Sequence, residues 1–306
     1  MKKVLVATEK PFAKTAVDGI RSIIEAAGFT LVLLEKYTDT ADFAHAVADA
    51  DALIVRSDKV TADIIAAAGN LKIVVRAGAG YDNLDLTACS SKGIVAMNTP
   101  GQNSNAVAEL ALGMMVYMAR NSFEPGTGSE LKGKKLGIHA YGNVGRQVAR
   151  IARGFGMEVL AFDPFITSEA MQQEGITPVK SVQDLYKKCT YVSLHIPATE
   201  ETRKSIGQEL LMSMPKGGTL INTARKEVID EDGLLRAMME RNDLKYATDI
   251  APDCASKLKN SVGSRYFGTA KKMGAETAEA NVNAGLAAAS QIVDFFTTGS
   301  TKFRVN

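Results

Sequence analysis

The 306-residue chain has only three cysteines, only three histidines and almost no net charge. Cys89, Cys189 and Cys254 are too few and too widely spaced for a disulfide framework or a zinc site, so no metal is expected. A net charge of +2 carries no electrostatic footprint for nucleic acid. Every apolar run is broken by charge or glycine well before membrane-spanning length, and the one at residues 4–7 is too short for a signal peptide. These shortages predict a cytoplasmic globular protein with no nucleic-acid or membrane partner. What the chain does have is 46% hydrophobic residues and length enough for two domains of ordinary size.

Strand-like and helix-like patterns alternate along most of its length. Residues 4–7, 29–34, 52–56, 72–75 and 94–97 read as strands. Residues 13–27, 42–49 and 61–68 read as helices, with Thr61 as an N-cap. A long helix over 106–120 and a Pro/Gly/Ser-rich linker over 124–129 follow. Further on, helices are expected over 182–187, 209–213 and 230–240, the last capped by Asp230, and strands over 191–194, 219–222 and 245–248. Residues 251–268 read as irregular, and 275–297 as a long helix returning to the first domain. The expected fold is α/β, with two doubly wound parallel-sheet domains.

One stretch carries chemistry directly. Residues 136–140 form a strand, Ala140-Tyr141-Gly142-Asn143-Val144-Gly145 a turn, 146–152 a helix and 157–162 a second strand ending on Asp163, eighteen positions after Gly145. This is the outline of a dinucleotide-binding βαβ unit, with alanine where the first glycine of the fingerprint would stand. Four strand ends in this half deliver Asp163, His195, Arg225 and Asp249 to one edge of the sheet. Taken singly, a strand-end Asp reads as a helix cap and a lone His as structural.

Taken together, the chain resembles the D-isomer-specific 2-hydroxyacid dehydrogenase family over nearly its whole length. The resemblance is carried by Arg56-Ser57, by Arg76-Ala77-Gly78-Ala79-Gly80-Tyr81-Asp82-Asn83, by Asn98-Thr99-Pro100-Gly101-Gln102-Asn103, and by Ala106-Val107-Ala108-Glu109-Leu110. Leu131 to Gly137, His195-Ile196-Pro197, Glu201-Thr202-Arg203 and Ile221-Asn222-Thr223-Ala224-Arg225 extend it. It implies a flavodoxin-like substrate domain of residues 1–98 completed by 284–306, a Rossmann NAD domain of 99–283 inserted between them, active sites in an interdomain cleft, and a homodimer formed through the NAD domain. It also implies roles for individual residues. Tyr141, Gly142, Asn143, Val144 and Gly145 would cradle the pyrophosphate of NAD, and Asp163 would hold the adenosine ribose. His195, Pro197, Thr202, Thr223, Ala224, Asp249, Gly274 and Ala275 would line the rest of the cofactor site, with Asp249 on the carboxamide. Asp163-Pro164-Phe165 lacks the arginine that a 2′-phosphate needs, which favours NAD over NADP.

The implied activity is NAD-dependent oxidation of D-3-phosphoglycerate to 3-phosphohydroxypyruvate, on the way to serine. Arg225 would hold the carboxylate and polarise the carbonyl, because a guanidinium forks onto two oxygens and stays charged. Backbone N–H groups over Ala77 to Gly80 would take the carboxylate as well, and Arg56, Ser57 and Arg76 would meet the phosphate, with Lys59 left as a solvated charge. The chain departs from the family twice. No histidine follows His195, so the usual acid–base histidine is absent, and aligning Gly274 and Thr277 to Ala280 puts Lys272 in its place, with Lys271 as the fallback. The usual relay glutamate falls at Cys254, beside Asp253. Partial burial with Arg225 and Lys271 nearby would bring the Lys272 amine towards neutrality. The alternatives are a glyoxylate, hydroxypyruvate or D-lactate reductase and, more remotely, an NAD-sensing protein without catalysis. No serine-binding regulatory domain is expected after the last helix.

Overall fold

A computed structural model describes all 306 residues. They divide into two compact units, one of Met1–Asn103 with Glu276–Asn306, the other of Ser104–Ala275.

The first unit alternates β1 (Lys3–Thr8), α1 (Lys14–Ala26), β2 (Thr30–Glu35), α2 (Thr40–Val47), β3 (Ala52–Val55), α3 (Ala62–Ala67), β4 (Ile73–Arg76), α4 (Leu86–Ser91) and β5 (Val95–Asn98). Every pair in its five-stranded sheet is parallel, in the order β2-β1-β3-β4-β5, which is the flavodoxin-like order. Central strands such as Ala-Leu-Ile-Val of β3 are buried on both faces, which is why they read as unbroken apolar runs. Asp39, Thr61 and Asp85 cap α2, α3 and α4 with their side chains. Beyond the last helix, the Val305 N–H donates to the Ala96 carbonyl, so the tail lies along the free edge of β5.

The second unit runs α5 (Ser104–Ala119), β6 (Lys135–His139), α6 (Asn143–Gly154), β7 (Glu158–Phe162), α7 (Ser168–Gln173), β8 (Thr177–Pro178), α8 (Val182–Lys188) and β9 (Tyr191–Leu194). It continues with α9 (Gln208–Ser213), β10 (Thr219–Asn222), α10 (Glu231–Glu240), β11 (Lys245–Thr248), α11 (Ala255–Val262) and β12 (Tyr266–Gly268). Its parallel sheet is ordered β12-β11-β10-β9-β6-β7-β8. That is the dinucleotide-binding order with one strand added at the edge. α12 (Ala278–Thr298) then belongs to the first unit.

The molecule departs from the expected pattern where local signals are short. Residues 251–268 hold α11 and β12 rather than an irregular segment, because α11 buries only Leu258 and Val262 and shows too little period to read. The six-residue helices α4 and α7 go unread for the same reason. Asp230 stands at the cap position of α10, but its side chain makes no capping bond. The unit boundaries also differ from residues 98/99 and 283/284. α12 is one continuous helix from its N-cap Thr277, and it packs Ala284, Ala288 and Ile292 with Ala16 and Ile20 of α1, so a division at 283/284 would cut it. No helix is long and apolar enough to cross a membrane.

Two histidines close the middle strands of the larger sheet. His139 ends β6, and His195 follows β9 and donates its N–H to the His139 carbonyl at 2.9 Å. His139 Nδ1 and His195 Nε2 are enclosed without partners. Burial lowers His139 to about 4 against the opposing pull of Asp163, and burial together with His139 lowers His195 to about 3. Both rings are therefore neutral when folded, while the unfolded chain protonates them near the ordinary 6.5. The stability from neutral burial is complete above that value and is lost as pH falls through 6.5 towards 4 and 3. His139→Gln should flatten the fall in urea-unfolding free energy between about pH 6.5 and 4.5 by on the order of 2 kcal/mol; an unchanged slope would contradict the assignment.

Candidate active site

The nucleotide turn sits at the end of β6. Gly142 is the N-cap residue of α6 and no side chain caps the helix, so its first N–H groups, including those of Asn143 and Val144, are left for an anion. A Cβ on Gly145 would stand 2.4 Å from the Ala140 carbonyl oxygen and 3.0 Å from Ile138 Cγ2, so only glycine lets helix and strand meet this closely. A Cβ on Gly142 would meet nothing within 4 Å, which leaves that part of the turn open. Ala140, in place of the expected glycine, adopts a φ of 79°, a left-handed conformation that an alanine holds under strain.

Tyr141 shows what secures that strained turn. Its N–H donates to Asp163 Oδ2 at 2.8 Å and its buried hydroxyl donates to Glu174 at 2.9 Å. Arg146 lies over its ring at 4.9 Å and pairs with the same glutamate. Nothing in the turn's spacing pointed to Glu174, which is distant in sequence. Asp163 Oδ1 accepts the Phe165 N–H at 2.8 Å. Each carboxylate oxygen keeps lone-pair capacity for a ribose hydroxyl.

Along the same sheet edge, the ends of β9, β10 and β11 carry enclosed polar atoms that make no hydrogen bond: His195 Nε2, Thr223 Oγ1 and Asp249 Oδ1, the last in an ion pair with Lys272. Buried polar groups ordinarily have hydrogen-bond partners. An edge with three such atoms beside an open helix N-terminus fits the polar substituents of a dinucleotide. Buried Asn222 shapes the adjoining turn by accepting the Ala224 N–H at 2.9 Å and donating to the Arg225 carbonyl at 3.0 Å. The Arg225 guanidinium donates to the Ala224 carbonyl at 3.0 Å and makes no ion pair. Thr202 is spent on its own loop: its hydroxyl donates to Pro197 O at 2.5 Å and accepts the Thr199 N–H at 2.8 Å.

Lys272 comes to the same turn from the far end of the unit. Its Nζ donates to the Ala224 carbonyl at 2.6 Å and to that of Thr223 at 3.4 Å, and lies 3.8 Å from Asp249 Oδ1. Asp249 is wholly buried, and its Oδ2 accepts the Gly274 N–H at 2.9 Å. A Cβ on Gly274 would stand 2.7 Å from that oxygen, which is why glycine precedes Ala275 here. The carboxylate beside the lysine is thus Asp249, the residue expected on the cofactor carboxamide. The relay position supplies nothing comparable. Asp253 is exposed and pairs with Lys226 at 2.6 Å. Burial and Glu231 push the Cys254 thiol up to about 12, and Glu231 also accepts its backbone N–H. Lys271 is exposed.

In the smaller sheet, Arg56 and the loop after β4 lie at strand ends. Arg56 Nη2 donates to Asn281 Oδ1 at 2.6 Å, and Nη1 donates to the carbonyls of Lys10 and Pro11. Arg76 Nε donates to the Arg56 carbonyl at 3.0 Å, and its guanidinium fills the space a Cβ on Gly78 would take. The N–H groups of Ala77 and Gly78 are used within the unit, donating to Val55 O at 2.8 Å and Arg76 O at 2.9 Å. Those of Ala79 and Gly80 remain for a carboxylate, which narrows the expected cradle to two donors. Ser57 and Lys59 are exposed.

Known proteins are similar to this chain in sequence and in fold. Residues 113–260 match the D-isomer specific 2-hydroxyacid dehydrogenase NAD-binding domain. D-3-phosphoglycerate dehydrogenase of Methanocaldococcus jannaschii is 37% identical over 266 residues, covering 80% of this chain and 50% of that protein. Hydroxypyruvate reductase of Thermotoga maritima is 38% identical over 236 residues, covering 72% of this chain and 75% of that protein. The chain spans about half the length of the curated D-3-phosphoglycerate dehydrogenases it matches. A crystal structure of NAD+-bound 3-phosphoglycerate dehydrogenase from Entamoeba histolytica is 52% identical, covering 100% of this chain and 98% of that one, with a TM-score of 0.87. The glycine turn, the acid that follows it and the Asn-Thr-Ala-Arg turn at the sheet edge therefore have one common source: this chain belongs to the D-isomer-specific 2-hydroxyacid dehydrogenase family.

Proposed function

We propose that the protein oxidises D-3-phosphoglycerate to 3-phosphohydroxypyruvate with NAD. The observation that carries this reading is Lys272 Nζ held on the carbonyls of Thr223 and Ala224, which sets an amine beside the turn that presents Arg225. The 52% identity to a 3-phosphoglycerate dehydrogenase supports the choice of substrate. NAD, when bound, accepts the hydride that leaves C2. Arg225 forks onto the substrate carboxylate and polarises the developing carbonyl. Lys272 takes the proton of the C2 hydroxyl as the hydride departs and returns it in the reverse direction. Asp249 positions Lys272 and anchors the Gly274 backbone. Arg56 takes the phosphate, with Ser57 and Arg76 beside it, and Ala79 and Gly80 donate to the carboxylate. Asn143, Val144 and Asp163 hold the dinucleotide.

A reductase acting on hydroxypyruvate is the second reading, favoured by the 38% identity to the Thermotoga maritima enzyme. Turnover with phosphorylated and unphosphorylated substrates separates the two. We also propose a cytoplasmic homodimer formed through the second unit. Support for the dimer is Phe123, 68% exposed just past α5, and a hollow of about 230 Å³ lined by Val116, Ala119, Arg120, Leu131 and Phe155 among others.

Lys272→Met should lower kcat by about 10²–10⁴-fold and abolish the rise of the oxidation rate with pH, whereas Lys271→Met keeps both; a Lys272→Met enzyme with its pH profile intact would remove the acid–base role. Gly145→Ala drives a Cβ into the Ala140 carbonyl, so NADH titrated by fluorescence should bind at least about tenfold more weakly. Ala140→Gly should bind NADH normally and be as stable as the parent within about 1 kcal/mol, because relief of strain offsets the unfolded-state entropy of glycine. In sedimentation at micromolar concentration, Phe123→Glu should run as a monomer where the parent runs as a dimer.

A further inference from the structure

The strand order of the first unit reverses at β1, which lies between β2 and β3. In open parallel sheets, ligands bind at such a reversal, outside the carboxyl ends of the strands. Arg56, immediately after β3, occupies that place, and an unusual number of groups hold it. Nη1 donates to the carbonyls of Lys10 at 3.1 Å and Pro11 at 3.2 Å, both in the loop after β1. Nη2 donates to Asn281 Oδ1 at 2.6 Å, and the buried ring of Phe12 lies 5.1 Å from Cζ. Asn281 is fixed in turn. In the first turn of α12 its Nδ2 and its backbone N–H both donate to the Thr277 carbonyl, at 2.9 and 3.2 Å.

A guanidinium carries five N–H donors in one plane. Three are committed here, so two remain for an incoming anion. The acceptor that completes the hold is a neutral amide rather than a carboxylate. An amide oxygen orients the guanidinium and leaves its charge unneutralised, whereas a carboxylate would pair with it and compete with the ligand. Because the side chain is already immobilised, binding a phosphate costs it little further rotamer freedom.

We infer that Asn281 is the positioning residue of a phosphate subsite: it sets the plane of the Arg56 guanidinium so that the two uncommitted N–H groups face the substrate phosphate, and thereby fixes the preference for phosphorylated over unphosphorylated 2-hydroxy acids. The inference rests on the reading that Arg56 anchors that phosphate.

The test compares Asn281→Ala, Asn281→Asp and Arg56→Ala with the parent enzyme. It measures kcat and KM with D-3-phosphoglycerate and with D-glycerate, and the constant for competitive inhibition by inorganic phosphate. Asn281→Ala should raise KM for the phosphorylated substrate and the inhibition constant of phosphate about tenfold each, with kcat within about twofold. Asn281→Asp keeps size and acceptor but adds a charge, and should lose more of the preference. Where turnover of D-glycerate is too slow to follow, the inhibition constant carries the same comparison. If Arg56→Ala erases the preference while both Asn281 variants retain it, the positioning role is overturned and the anchor stands. If Arg56→Ala itself keeps the preference, the anchor is wrong. Equal losses on both substrates, with an unchanged phosphate constant, would mark Asn281 as a helix-start residue only and overturn the inference.

Discussion

The approach of α6 to the turn after β6 is the constraint on which the cofactor half of this protein depends. Gly145 brings the helix within a distance of the Ala140 carbonyl that no side chain tolerates. That closeness aims the uncapped start of α6 at whatever lies over the end of the sheet. It also forces Ala140 into a left-handed conformation, and the chain meets that strain with bonds from outside the turn. Tyr141 is tied through its N–H to Asp163 and through its hydroxyl to Glu174. A turn that lacks its first glycine is thus held by an aromatic residue, an acid from the next strand and a glutamate beyond α7.

A comparable economy governs the chemistry. No histidine follows His195, and Lys272, which we propose as the acid–base group, is held in its own way. Its neighbours are the carbonyls of Thr223 and Ala224 and the buried Asp249, all at adjoining strand ends. An amine has no tautomer to select, so it needs acceptors around Nζ rather than a second carboxylate to orient a ring. Asn222 completes the arrangement by clamping the turn from inside the sheet.

Much of this was legible beforehand. Alternating apolar runs and glycine-terminated helices predict two parallel sheets, and both sheets are parallel throughout. Strand ends led to Asp163, Arg225 and Asp249, and the family-like alignment of Gly274 and Thr277 to Ala280 led to Lys272. Elements of six to eight residues, such as α4, α7 and α11, stayed hidden because they bury only one or two side chains. The compact units meet a few residues away from the expected limits for a related reason. The packing of α12 on α1 is a long-range fact with no local signature.

The sequence by itself determined the fold class, the place of the nucleotide turn and the identities of the groups along each strand end, since periodicity and motif spacing are properties of short stretches. Only the tertiary structure decided which groups answer one another. It set Asp249 beside Lys272, Glu174 under Tyr141 and Asn281 against Arg56, pairs separated by 23, 33 and 225 positions. A hydrogen bond depends on where folded elements bring two atoms, and that position is written in no segment taken alone.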